Sequence, residues 1–104
     1  MDNDIKSLFQ TALEQHKNGN FAAAEVSYHE ILEKQSENID ANFLLGTLCL
    51  QQGRIDDACT YLRKTLELKP DHIMALNNFG TALQEQGRLD EAIASYRHAV
   101  LLKP

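Results

Sequence analysis

The sequence predicts an all-α domain built from three copies of one helical hairpin. The first observation behind this prediction is an internal repeat of 34 residues, which places residues of one type one period apart at Gly46 and Gly80, at Gly53 and Gly87, and at Pro70 and Pro104. The second is the pattern inside each copy, where apolar residues recur every three or four positions, as on one face of a helix. The last two copies share 13 of 32 aligned residues, which indicates duplication.

The first copy is the most diverged. Gly19 stands one period before Gly53, and Ala24 stands one period before Ala58. The copy therefore keeps the central turn and the small residue of its second helix. We predict its helices at residues 4–17 and 21–34.

The second copy shows the hairpin most clearly. Its first helix has a run of apolar residues at helical spacing, which Gly53 ends because glycine readily takes the left-handed conformation after a helix. Asp56 and Asp57 follow, and carboxylates are favourable at the positive N-terminal end of a helix. Pro70 then stops the second helix, since it has no amide hydrogen to donate. The predicted helices are residues 39–52 and 55–68.

The third copy repeats the second, with predicted helices at residues 73–86 and 89–102. The three copies cover approximately residues 5–38, 39–72 and 73–104. A chain of 104 residues is long enough for one such domain and too short for two, so we predict a single repeat domain over residues 1–104.

The small residues of each copy predict a close approach of its two helices. We expect Gly46 to face Ala58 and Gly80 to face Ala92, which would let the two helix backbones approach closely.

The charge of the chain bears on its partners. Its formal net charge is -5, which argues against binding to phosphate backbones or anionic lipid, so we expect neither nucleic acid nor a membrane as partner. The start of the chain lacks the basic and apolar segments of a secretory signal. We therefore expect a cytoplasmic protein.

The sequence contains no recognisable catalytic or metal-binding motif. Cys49 and Cys59 lie within apolar helical patterns, which predicts that they are small core residues. The four histidines are scattered without metal-ligand spacing and are interpreted as surface residues: His16, His29, His72 and His98. We expect no catalytic residue, no metal ligand and no cofactor, and thus no enzyme activity.

One family accounts for this combination of period and residue types. The arrangement of Leu45-Gly46, Gly53, Ala58, Leu62 and Pro70, repeated in the third copy, resembles the tetratricopeptide repeat. The resemblance covers the chain from Ile5 onward and implies an alpha-alpha superhelix, a right-handed solenoid of three helical hairpins. The sequence departs from the family pattern at the position of its early tryptophan, where it has Leu8, Asn42 and Leu76.

The resemblance also implies where a partner would bind. First helices of such repeats line a concave groove that commonly holds an extended peptide or a partner helix, so we predict a protein-protein interaction module or scaffold. The implied groove residues are Lys6, Phe9, Leu13, His16, Lys17, Asp40, Phe43, Thr47, Leu50, Gln51, Met74, Asn77, Asn78, Thr81, Gln84 and Glu85. An alternative for Phe9, Leu13 and Phe43 is that they pack between adjacent repeats, as buried aromatic and apolar residues do.

Two specialised uses of the family can be weighed from the residues. A clamp of Lys, Asn and Arg grips the C-terminal carboxylate of heat-shock chaperones, but none of the matching positions here is basic: Phe9, Leu13, Leu44, Met74 and Asn78. Some sugar-nucleotide transferases carry an asparagine ladder, of which this chain has one rung, Asn78. We expect Asn78 instead to cap or bridge neighbouring helices.

The last helix predicts an exposed apolar face. We expect Tyr96, Val100 and Leu102 on the face that a following helix would cover, and Leu101 at an exposed position. This suggests either a fragment of a longer protein or self-association through the uncapped C-terminal helix. The alternative function is therefore an N-terminal targeting or substrate-recruiting segment of a larger enzyme, such as a bacterial glycosyltransferase.

Overall fold

The computed structural model describes residues 4–103, which form six α-helices and no strand. The helices are α1 (Ile5–Lys17), α2 (Phe21–Lys34), α3 (Ile39–Gln51), α4 (Ile55–Leu68), α5 (Ile73–Glu85) and α6 (Leu89–Leu102). All predicted bounds agree with these to within one residue. Pro104, one of the repeat markers, lies outside the described residues.

The first helix of each copy begins at a side-chain cap. Asp4, Asn38 and His72 occupy the same position of the repeat, and each accepts a hydrogen bond from a backbone N–H three residues later. Such a cap satisfies one of the amide groups that a helix start leaves unpaired. Three different residue types therefore perform one task at one repeat position.

The second helix of each copy begins without a side-chain cap, directly after a turn. The turn contains Gly19, Gly53 or Gly87, with φ of 81°, 76° and 79°. Because side chains are disfavoured in this left-handed region, the glycine at this repeat position is required by the backbone.

The helices stack in the order of the chain. Within each copy the two helices form an antiparallel hairpin, and each hairpin packs on the next through α2 with α3 and α4 with α5, while α3 also contacts α5. The domain is elongated, with extents of 45 × 24 × 21 Å. The all-α repeat fold predicted from the sequence is thus confirmed.

The core runs along the middle of the stack. It contains buried alanines and large buried side chains, including Tyr28, Ile31, Leu45, Leu48 and Leu62. Cys49 and Cys59 are buried free cysteines, which confirms their prediction as core residues.

The structure adds a detail to the predicted packing. The atoms nearest to a Cβ placed on Gly46 or Gly80 belong to Leu62 and Tyr96, each four residues after the alanine of its helix. Leu62 and Tyr96 point from the second helix of their hairpin toward the glycine of the first helix. Each large side chain therefore occupies the space that a Cβ on the glycine would need.

An ion pair joins the first two hairpins. Arg54, at the start of α4, donates to both carboxylate oxygens of Glu25 on α2, at 2.8 and 3.0 Å, and also donates to Asp57. The hydrogen bond from Arg54 lowers the pKa of Glu25. None of the helices within residues 4–103 is long and apolar enough to cross a membrane.

Candidate functional site

The three first helices form one surface. Asn78 on α5 donates to Thr47 Oγ1 on α3 at 3.1 Å, and His16 on α1 lies 2.7 Å from Gln51 Oε1 on α3. We call the surface formed by the predicted groove residues of α1, α3 and α5 the groove surface. The bridging role predicted for Asn78 is confirmed.

Most of the predicted groove residues reach solvent. The exposed ones are Lys6, Leu13, Lys17, Asp40, Gln51, Met74, Asn77, Thr81, Gln84 and Glu85, and the half-buried ones are Phe9, His16, Thr47, Leu50 and Asn78. Two apolar side chains are prominent, since Leu13 is 46% exposed and Met74 is 61% exposed. The groove surface therefore offers separate apolar contacts within a mostly polar setting.

Phe43 differs from the other predicted groove residues. It is only 8% exposed, and its ring centroid lies 4.6 Å from that of His72, which caps α5. Phe43 packs between the second and third copies, as its alternative interpretation held, and it offers a partner little apolar area. Phe9 is half-buried and packs against the core.

A hydrogen-bond network lies at one end of the groove surface. His16 Nδ1 is 2.8 Å from the Tyr28 hydroxyl, and His16 Nε2 is 2.7 Å from Gln51 Oε1. Because the amide oxygen can only accept, Nε2 donates to Gln51, and Nδ1 of the neutral ring accepts from Tyr28. Burial raises the pKa of Tyr28 to about 12, so its hydroxyl stays protonated.

This network was not predicted, and two histidines are not simple surface residues. His16 is half-buried in the network, and His72 is half-buried as a cap against Phe43. The sequence shows only that His16 and Tyr28 lie on successive helices of one hairpin, 12 positions apart, which does not by itself predict their contact. Among residues 4–103, no group of three or more His, Cys, Asp or Glu side chains is arranged to hold a metal ion.

The outer face of α6 is apolar. Leu89, Ile93 and Val100 are each at least half exposed, and half-buried Tyr96 lies among them. Leu101 is 76% exposed and Leu102 41%. Val100, Leu101 and Leu102 are all exposed, and Leu89 and Ile93 extend the face that carries Val100. Leu102 follows Val100 by two residues, which places it about 200° away around the helix, so its predicted position on that face is wrong.

Comparison with known proteins gives one family and several similar folds. The family model for the tetratricopeptide repeat matches residues 37–102. A structure of MamA has a TM-score of 0.90 and 22% sequence identity over 96% of this chain. The second tetratricopeptide domain of Spaghetti (RPAP3), bound to an HSP90 peptide, has a TM-score of 0.92 and 19% identity over 97% of this chain and 94% of its own.

A third similar structure is a mutant of the Thermobaculum terrenum O-GlcNAc transferase. It has a TM-score of 0.89 and 32% identity over 96% of this chain. The chain spans 58% of the MamA chain and 19% of the transferase chain.

Proposed function

This chain belongs to the tetratricopeptide repeat family, and from that premise we propose that it is a non-enzymatic interaction module that holds an extended peptide or a partner helix on the groove surface. The observation that carries the proposal is the exposure of Leu13 and Met74 there, on two different first helices. A partner that covers them gains roughly 1–2 kcal/mol from each side chain. Exposed amides and hydroxyls beside them supply partners for peptide groups.

The frame beneath these side chains favours binding. The hydrogen bonds from His16 to Gln51 and from Asn78 to Thr47 fix α1, α3 and α5 relative to one another. A surface that is fixed before binding loses less conformational entropy when a partner arrives. The groove surface is therefore preorganised for a partner.

The test is selection of peptides from a random display library on the wild-type domain, followed by titration of the selected peptides against variants. Leu13→Glu and Met74→Glu should each weaken binding about tenfold or more. Val26→Glu and Leu101→Glu serve as controls, because these side chains are at least as exposed but lie outside the groove surface. Peptides that bind all four variants equally would place the ligand elsewhere and overturn the proposal.

The same residues argue against one ligand of a similar protein. The Spaghetti domain has an HSP90 peptide bound, whereas here Phe9, Leu13, Leu44, Met74 and Asn78 provide no cation for a terminal carboxylate. We propose that the ligand is not an acidic C-terminal tail.

A second candidate function is that these repeats recruit substrates for a larger enzyme. It is favoured by the 32% identity with the O-GlcNAc transferase, of which this chain matches 19%. An antibody raised against the domain should then detect a native protein several times its mass in the source cells. Detection of a protein close to 11.7 kDa would exclude this candidate.

Self-association is a further proposal about partners, and we assign it to pairing of α6 with α6 of a second copy. In a head-to-tail stack, α6 of one copy would pack on α1 of the next copy. Such a stack is disfavoured because α1 has exposed polar residues at the positions where α3 buries apolar ones. The polar residues are Ser7, Thr11 and Glu14, and their counterparts in α3 are Ala41, Leu45 and Leu48. The apolar face of α6 would meet those polar groups, whereas two copies of that face match each other.

Light scattering over a range of concentrations tests this pairing. Wild type should form dimers that Ile93→Glu removes and Ala94→Glu, on another side of the same helix, retains. A wild-type chain that stays monomeric at the highest concentration would contradict the pairing and favour another cover for α6.

A further inference from the structure

A shallow pocket of about 330 Å³ lies between α4 and α6. Its floor comes from α5, through Leu76, Phe79 and Leu83, none of which belongs to the groove surface. Leu66 of α4 forms one wall, and Arg63 and Glu91 stand at the rim. The volume is at the lower end of the range for small-molecule sites, and the walls are apolar with charged groups only at the edge.

The corresponding junction between α2 and α4 holds an aromatic ring. Tyr61 of α4 stands there, one period before Ser95 of α6, and its ring centroid lies 6.1 Å from that of His29 in an edge-to-face arrangement. His29 is one period before Arg63 at the pocket rim. The Tyr61 ring is half-buried and packs against the core, and burial raises the pKa of its hydroxyl.

Ser95 leaves the pocket open. It is 8% exposed, and its hydroxyl donates to the Leu76 carbonyl oxygen at 2.7 Å, so its polar group is satisfied within the protein. Ser95 has no ring to place where the Tyr61 ring lies one repeat earlier, and the other α6 side chains that line the pocket are Glu91, Ala94 and the exposed His98. At the other edge, the guanidinium carbon of Arg63 lies 5.1 Å from the centroid of the Phe79 ring, which holds a cation beside the opening.

From this internal comparison we propose that the pocket between α4 and α6 binds a tyrosine side chain of a partner protein. The partner's ring occupies the position that Tyr61 occupies at the preceding junction, in contact with Leu66, Phe79 and Leu83. Its hydroxyl remains at the rim near Arg63 and Glu91, since a tyrosine ring is favourable where one end is apolar and the other is wet. This site shares no residue with the groove surface, so the proposal does not depend on peptide binding at the groove surface.

The probe for this site is p-cresol, which is the tyrosine side chain without its backbone. Titration of the domain with p-cresol, followed by NMR of the leucine methyl groups, should shift the Leu66 and Leu83 signals saturably, with a dissociation constant on the order of 1 mM. Ser95→Tyr fills the pocket from within and should weaken this response at least tenfold. Arg97→Tyr, which adds the same ring to α6 outside the pocket, should leave the response unchanged.

A reciprocal variant keeps the test decisive if Ser95→Tyr fails to fold. Tyr61→Ser empties the junction between α2 and α4, and it should add a second saturable response at Leu32 and Leu45 while the first one remains. The proposal is overturned if p-cresol does not shift Leu66 and Leu83 in the wild type. It is equally overturned if a folded Ser95→Tyr variant responds like the wild type.

Discussion

Gly46 on α3 lies directly against Leu62 on α4. A Cβ atom on Gly46 would come within 2.9 Å of Leu62 Cγ and 3.3 Å of the Leu62 backbone nitrogen. Leu62 is fully buried, so it has little room to move aside. The absence of a side chain at Gly46 therefore sets how closely the two helices of the second hairpin approach.

We expect Gly46→Ala to lower the free energy of unfolding by about 1–2 kcal/mol. Overpacking a core costs about 1–3 kcal/mol, and alanine recovers about 0.5–1 kcal/mol of that through its better helix propensity. Urea unfolding measures the difference. Gly80→Ala is the matched control: its Cβ would meet the ring of half-buried Tyr96, which can swing toward solvent, so the loss should be smaller. Equal losses in both variants would contradict this explanation.

The ion pair between Glu25 and Arg54 predicts a dependence on pH. Because Arg54 lowers the pKa of Glu25 in the folded chain, the pair stabilises the fold above the ordinary glutamate pKa, and this contribution is lost as the pH falls through the lowered value. Glu25→Gln should cost about 0.5–1 kcal/mol near neutral pH, since both groups are partly exposed. The difference from wild type should shrink in acid and disappear once the pH lies below that lowered pKa.

Urea unfolding near neutral pH and in acid, below the lowered pKa of Glu25, tests this prediction. Glu33→Gln, which removes another carboxylate from α2, is the control for the change in net charge. A difference between wild type and Glu25→Gln that persisted unchanged in acid would show that the carboxylate charge is not its source.

Tyr28→Phe should lower the free energy of unfolding at neutral pH, and this loss should shrink or reverse at alkaline pH. At neutral pH the variant leaves His16 Nδ1 without its donor, which should cost about 1 kcal/mol. Above pH 10 the unfolded wild-type chain releases the Tyr28 proton, while the folded chain retains it up to about pH 12. The wild type is therefore destabilised in this range by up to about 1.4 kcal/mol per pH unit, and the phenylalanine variant is not affected at this position.

The measurement is urea unfolding near neutral pH and near about pH 11, with the tyrosinate absorbance followed in parallel. The stability difference should shrink or reverse in alkali, and the variant should lack the most alkaline step of the tyrosinate titration. If the titration curve kept that step, Tyr28 would not be the buried tyrosine.

The HSP90 peptide SRMEEVD, which is bound to the Spaghetti domain, should not bind this chain. An acidic peptide meets a chain with a formal net charge of -5 and without a basic side chain at the five positions named above, so no charge-assisted hydrogen bond holds its carboxylate. Calorimetry should detect no heat of binding up to millimolar peptide, with the Spaghetti domain as the positive control. Binding of the free-acid peptide together with failure of its amidated form would contradict this prediction.

The helices could be predicted closely because local residues determine where they begin and end. Gly53 must take a positive φ wherever it is placed in space, and Asn38 caps the helix that follows it without help from another copy. These signals repeat with the period of the chain, so one clear copy located the helices of the other two.

The surface was harder to predict because side-chain direction depends on neighbouring copies. Phe43 follows the groove pattern, yet its ring packs against His72, which belongs to the third copy. Tyr61 and Ser95 occupy one repeat position, but only the assembled junctions reveal that one fills a space that the other leaves open. The fold follows from the repeat pattern, whereas the candidate sites lie where the copies differ.

The helices contact chiefly their neighbours in the chain, and this stacking has a mechanical consequence. A pulling force applied across residues 4–103 is carried by the junctions in series, because no helix of the first hairpin makes an extensive contact with a helix of the last one within these residues. Stretched in an optical trap, the domain should extend like a short spring and yield one hairpin at a time. A junction tied by Arg54 and Glu25 should then hold to a higher force than one without such a link.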